Sequence, residues 1–122
     1  MSFASPSFDL NEESLDAQTH LIAVRGEVHV STAPEFSERL NDAIAGGKTG
    51  VVIDMTGVDF IDSTGLSVLL NALRLTGQRQ GRLALVCTNR TVLRLFQITG
   101  LEDTFDIFDD RAEAIAFVSQ AA

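Results

Sequence analysis

Apolar positions fall into two kinds of block along this chain: short runs that are nearly continuous, and stripes at helical spacing. Gly50 to Met55 (GVVIDM) and Arg82 to Cys87 (RLALVC) are short apolar runs, the mark of strands buried on both faces. His20 to Val28 (HLIAVRGEV) predicts a further strand, Phe8 to Ser14 an edge strand, and Phe105 to Phe108 a last short one. Between them, Phe36, Leu40, Ala43 and Ile44 predict a helix. Thr32 stands as its expected N-cap, Pro34 and Glu35 suit its first turn, and Gly46-Gly47 stops it. Leu66, Leu69, Leu70 and Leu73 give a second helical stripe, which fades near Gly77 to Gly81. Thr91 to Gln97 predicts a short helix ended by Gly100, and Arg111 to Ser119 a closing helix with Ala114, Ile115 and Val118 inward. Residues 1 to 7 are small and polar and are expected to fray; GVDFIDSTG is expected as a loop.

Strands come first, and helix and strand then alternate. That order implies an α/β domain with a largely parallel sheet and covering helices. In open sheets of this kind, functional loops gather at the carboxyl ends of the strands. Two loops therefore matter most, the one after Val28 and the one after Met55.

Composition narrows the chemistry. The 122 residues carry 17 acidic against 9 basic side chains, a net charge of −8. The length supports one domain with its own core. The acidity argues against a partner rich in phosphate, whether nucleic acid or an anionic membrane surface. Cys87 is the only cysteine, which excludes disulfide frameworks and thiol-rich metal sites. Two histidines without zinc-binding spacing predict no metal and no resident cofactor. The opening MSFASPSF has neither a basic nor an apolar signal region, so a cytoplasmic location is expected.

The informative stretch is Asp54 to Leu70, DMTGVDFIDSTGLSVLL. On its own chemistry, Ser63 or Thr64 would serve as an N-cap for the helix that follows, typically stabilising by about 1 kcal/mol. Gly65 inside the first turn gives up about 1 kcal/mol of helix propensity relative to alanine. Its missing side chain suggests close approach, either of a neighbouring loop or of a partner.

VVIDMTGVDFIDSTGL resembles the signature of STAS domains, and specifically of the bacterial anti-sigma factor antagonists. There a strand ends in Asp, a Gly-Val loop follows, and Asp-Ser-Ser/Thr-Gly-Leu opens a helix. RGEVHVSTAPEF and VLRLFQITGLEDTFDIF resemble two further segments of that family, and the likeness spans about Ala17 to Ser119. It implies a single-domain STAS fold over residues 8–120, a mostly parallel mixed sheet of about five strands with about four helices.

The resemblance also implies a binding switch and no enzyme. Ser63 would be the phosphorylated residue, with Thr64 the alternative. The unmodified protein would bind an anti-sigma factor that is also a serine kinase, using its own ATP and Mg²⁺, and so release a sigma factor. A metal-dependent serine phosphatase would reverse the modification. Asp62, Thr64 and Gly65 would shape the surroundings of Ser63, with Val28, His29, Thr32 and Ala33 alongside as partner surface. Where the antagonists usually carry an Asp after Gly-Glu-Leu, this chain has His29. The alternative is a non-switching STAS subunit of a transporter or signalling complex, in which Ser63 only caps a helix.

Other patterns fall away. Gly46-Gly47-Lys48-Thr49 lacks the upstream glycine of a phosphate-binding loop, and no G-x-S-x-G elbow supports Ser63 as a nucleophile. Cys87 ends an apolar strand and reads as a small core residue. Arg74, Arg79, Arg82, Arg90 and Arg94 are either a solvated face or a docking surface of complementary charge. Phe60, just before Asp62, is a candidate exposed apolar contact.

Overall fold

Five strands and four helices alternate along residues 8–120, the part of the chain described by the computed structural model. The expectation for residues 1 to 7 lies outside the described residues. β1 (Asp9–Ser14) and β2 (Thr19–Val28) form an antiparallel hairpin. After α1 (Ala33–Ala45), the chain returns as β3 (Gly50–Ile61), parallel to β2. Then follow α2 (Ser63–Gln78), β4 (Arg82–Val86), α3 (Arg90–Ile98), β5 (Asp106–Phe108) and α4 (Arg111–Val118). The strands lie in sequence order in one sheet, antiparallel only at the β1 edge.

Strand alternation divides the core between the two faces of the sheet. Ile22, Val24, Val51, Ile53, Met55, Leu83 and Leu85 project onto one face, where Phe36, Leu40, Leu69, Val92 and Phe96 of α1, α2 and α3 cover them. Leu21, Val52, Ala84 and Val86 project onto the other, beneath Ala114 and Val118 of α4. On α2 the stripe is rotated from expectation. Leu66, Leu69, Ala72 and Thr76 are buried, whereas Leu70 is exposed.

The largest departure is the length of β3. The apolar run predicted a strand ending at Met55, with GVDFIDSTG as a loop. The strand continues to Ile61, pairing with β2 through Glu27–Phe60 and Val28–Ile61 after two register irregularities. Its pairing with β4 stops at Asp54–Val86. Beyond that point β3 has a neighbour on one side only and becomes half-buried, so polar residues enter the sequence and the continuous pattern disappears. Asp59 and Phe60 are exposed while Val58 and Ile61 are buried. What looked like loop is a two-stranded extension carrying the start of α2.

Candidate functional site

α2 begins at the tip of that extension. Asp62 is its N-cap, extended at φ −109° and ψ −171°. Its Oδ1 accepts hydrogen bonds from the backbone N–H of Thr64 (2.9 Å) and of Gly65 (3.1 Å). The expectation that Ser63 or Thr64 caps the helix is corrected by this geometry. A carboxylate following a β residue reaches two of the free amides at once, so Ser63 falls inside the helix as its first residue. Ser63 is exposed, and none of the hydrogen bonds between described residues uses its hydroxyl. Only its backbone carbonyl is engaged, by the Ser67 hydroxyl at 3.0 Å. Thr64 beside it is half-buried.

Gly65 is explained from within the fold. A Cβ there would lie 2.5 Å from Cγ1 of Ile61 and 2.8 Å from Cγ1 of Val28. Both carbons belong to the paired strand ends, so the missing side chain lets the first turn of α2 sit directly on them. The N–H of Asp62 also donates to the Val28 carbonyl at 3.2 Å, which joins the end of β2 to the start of α2. The loop after β2 is thereby brought beside Ser63.

That loop is held by Thr32, in a way the sequence did not suggest. Thr32 precedes α1 but makes no side-chain cap. Its hydroxyl turns back into the loop instead, donating to the Glu27 carbonyl (2.8 Å) and accepting from the His29 N–H (3.0 Å). The His29 carbonyl accepts from the N–H of Thr32 and of Ala33, so residues 29–33 form a closed turn. Thr32 and Ala33 are 8% and 3% exposed, and Gly65 is buried too. All three shape the site from below. The accessible surface comes from others: Ser63, half-exposed Asp62 and His29, and two apolar side chains, Val30 (70% exposed) and Phe60 (47%). Down α2, Ser67 and Leu70 continue the outward face begun by Ser63.

Nδ1 of His29 accepts the N–H of Ser31 at 3.2 Å, and its Nε2 lies 3.7 Å from a carboxylate oxygen of Glu27. The first bond requires Nδ1 without a proton.

A second carboxylate, Asp54, ends the β4-paired part of β3 on the opposite face of the sheet, and sequence reasoning gave it no partner. It is 5% exposed. Oδ1 accepts from the N–H (3.0 Å) and hydroxyl (2.8 Å) of Thr56, and Oδ2 from Nε of Arg111 at 2.5 Å. Burial pushes its carboxyl up, but the Thr56 bonds and the Arg111 guanidinium outweigh burial and hold it below the usual carboxylate range. Arg111 opens α4, so this pair pins that helix to the sheet. Cys87 is buried nearby, and burial pushes its thiol up, which suits a core residue.

Among the described residues no group of three or more metal-ligating side chains is present, and no helix is long and apolar enough to cross a membrane.

The chain matches the family model described as STAS domain over residues 14–114. It is 39% identical over 104 residues to the anti-sigma-B factor antagonist of Listeria monocytogenes, covering 83% of this chain and 87% of that protein. An anti-sigma factor antagonist from Mycobacterium paratuberculosis superposes with a TM-score of 0.81 at 25% identity, over 98% of this chain and 100% of the other. The Bacillus cell fate determinant SpoIIAA in its phosphorylated form superposes with a TM-score of 0.70 at 26% identity, over 91% and 98%.

Proposed function

The chain belongs to the STAS domain family, and from that premise we propose that it is an anti-sigma factor antagonist switched by phosphorylation of Ser63. Unphosphorylated, it binds an anti-sigma factor that is also a serine kinase, and the sigma factor is released. Phosphorylation from the kinase's ATP and Mg²⁺ ends the complex, and a metal-dependent phosphatase restores it. The antagonist role is supported by the Listeria relative, and modification by the phosphorylated form known for SpoIIAA. The observation that carries the choice of residue is the exposed hydroxyl of Ser63, without a hydrogen-bond partner among the described residues, at a helix start whose Thr64 and Gly65 amides are already bonded to Asp62.

The same geometry gives the switch its sign. A phosphoryl group brings about −1.5 to −2 charges. At an open helix N-terminus it would gain amide hydrogen bonds, but the Thr64 and Gly65 amides are taken. The helix dipole offsets only about 0.3–1 kcal/mol. The Asp62 carboxylate opposes by roughly 1–3 kcal/mol per unit charge where the pair is partly desolvated. A hundredfold loss of affinity needs only about 2.7 kcal/mol, so desolvating this charge pair against a partner suffices without refolding. Thr64 is the less suitable acceptor, being half-buried. The reading in which Ser63 merely caps α2 loses its premise, because Asp62 is the cap.

The test is incubation with serine kinases encoded beside this chain's gene, with ATP and Mg²⁺, followed by intact mass and site mapping. One phosphoryl group on Ser63 is expected, and Ser63→Ala should abolish it. Modification elsewhere, with Ser63 untouched, would refute the assignment.

A further inference from the structure

From Phe60, at the edge of the site, a further accessible surface extends away from Ser63. Asp59, Phe60 and Ile61 of β3 face Thr91, Val92 and Leu95 of α3 across an apolar groove. Thr91 also belongs to an adjoining groove lined by Arg90, Leu93, Arg94 and Gln97. Helical spacing explains the division: positions 91, 92 and 95 turn toward β3, whereas 90, 94 and 97 turn away from it. The surface is thus continuous from Phe60, two strand residues before Asp62, to a pair of arginines one helical turn apart. Arg90 and Arg94 are exposed, and neither has a carboxylate partner among the described residues. In a chain of net charge −8, these two neighbouring cations beside an apolar groove concentrate positive charge locally.

We infer that this surface docks an acidic peptide segment of the protein partner, one apolar side chain entering the Phe60–Leu95 groove and the following carboxylates meeting Arg90 and Arg94. The inference deepens the antagonist reading, because it names the kind of segment the partner must present. Asp59 at the groove wall fixes the direction, since it repels carboxylates at the Phe60 end and leaves the arginine end for them. A nucleic acid is disfavoured, because two arginines do not offset the overall negative charge toward a polyanion.

The experiment titrates the isotope-labelled full chain with a pool of synthetic peptides, each with one leucine or phenylalanine followed by acidic residues. A second pool has lysines in place of the acids. The acidic pool should shift the amides of Phe60, Thr91, Arg94 and Leu95, and raising salt from about 50 to about 200 mM should weaken binding several-fold. Arg90→Glu with Arg94→Glu should weaken it at least about tenfold while the spectrum stays dispersed. Arg79→Glu, also on the surface, should leave binding unchanged. Absence of localised shifts, equal binding of the basic pool, or indifference to the double charge reversal overturns the proposal. So does an oligonucleotide that shifts the same amides more strongly. Concentration-dependent shifts without peptide would instead assign the surface to the acidic Glu102–Glu113 stretch of a second copy, and would also overturn it. Because neither the kinase nor phosphorylation of Ser63 enters this test, a negative result leaves the Ser63 switch standing. A failure of that switch likewise leaves the peptide result standing.

Discussion

Asp54 and Asp62 lie on one continuous segment and do opposite things with the same functional group. Asp54 is buried, and both its oxygens are engaged, one by Thr56 and one by the Arg111 guanidinium, so its charge is neutralised inside the fold. Asp62 is half-exposed, and one oxygen holds two neutral amides with no cation paired to it among the described residues, so its charge remains at the surface. The first is suited to holding α4 on the sheet. If Ser63 is phosphorylated as proposed, only the second would act on the phosphate, because only there would an added negative charge meet one that is not already compensated. Under the proposed switch, what a carboxylate lacks matters as much as what it touches.

The comparison can be broken in several places. The largest effect on stability is expected from Gly65→Ala, whose Cβ would collide with Ile61 and Val28. It should cost about 1–3 kcal/mol in urea unfolding, whereas Gly77→Ala on the same helix, with open space around it, should be neutral or stabilising by up to about 1 kcal/mol. Next comes Arg111→Gln, which leaves buried Asp54 without its cation and should cost about 1–2 kcal/mol at neutral pH. The sign with pH follows from the lowered carboxyl. Asp54 stabilises the fold above the ordinary carboxylate pKa, and that contribution disappears as pH falls through its lower value in the fold. Arg111→Gln should therefore unfold at a higher pH on acid titration than the parent. Asp62→Ala should cost about 1 kcal/mol by loss of the cap, and should also free the Thr64 and Gly65 amides for a phosphate. Asp62→Asn separates the two roles, since asparagine caps as well as aspartate but carries no charge. Stability should change by only a few tenths of a kcal/mol, while the affinity lost on phosphorylation shrinks by several-fold, measured by calorimetry on both forms.

Much of this arrangement was legible in the chain itself. The runs GVVIDM and RLALVC became central strands, and alternation fixed a largely parallel sheet, because burial on both faces leaves an unbroken apolar signal. The far half of β3 was not legible, since a strand with one neighbour admits Thr56, Asp59 and Gly57 and looks like loop. The motif singles out the proposed site segment, but it does not assign the cap. Asp, Ser and Thr all favour that position, and only the backbone entering from Ile61 decides that Asp62 reaches the amides. Thr32 illustrates the same ambiguity, a good capping residue whose hydroxyl is drawn inward by Glu27 and His29. Asp54 with Arg111 joins residues 57 positions apart, beyond any local pattern.

The central claim is that charge at Ser63 controls partner binding. It is tested most directly by calorimetric titration of the kinase partner with the parent chain, Ser63→Ala, and the chain phosphorylated at Ser63. Parent and Ser63→Ala should bind alike, and the phosphorylated chain at least about a hundredfold more weakly, equivalent to about 2.7 kcal/mol. Equal affinity of all three would contradict the account.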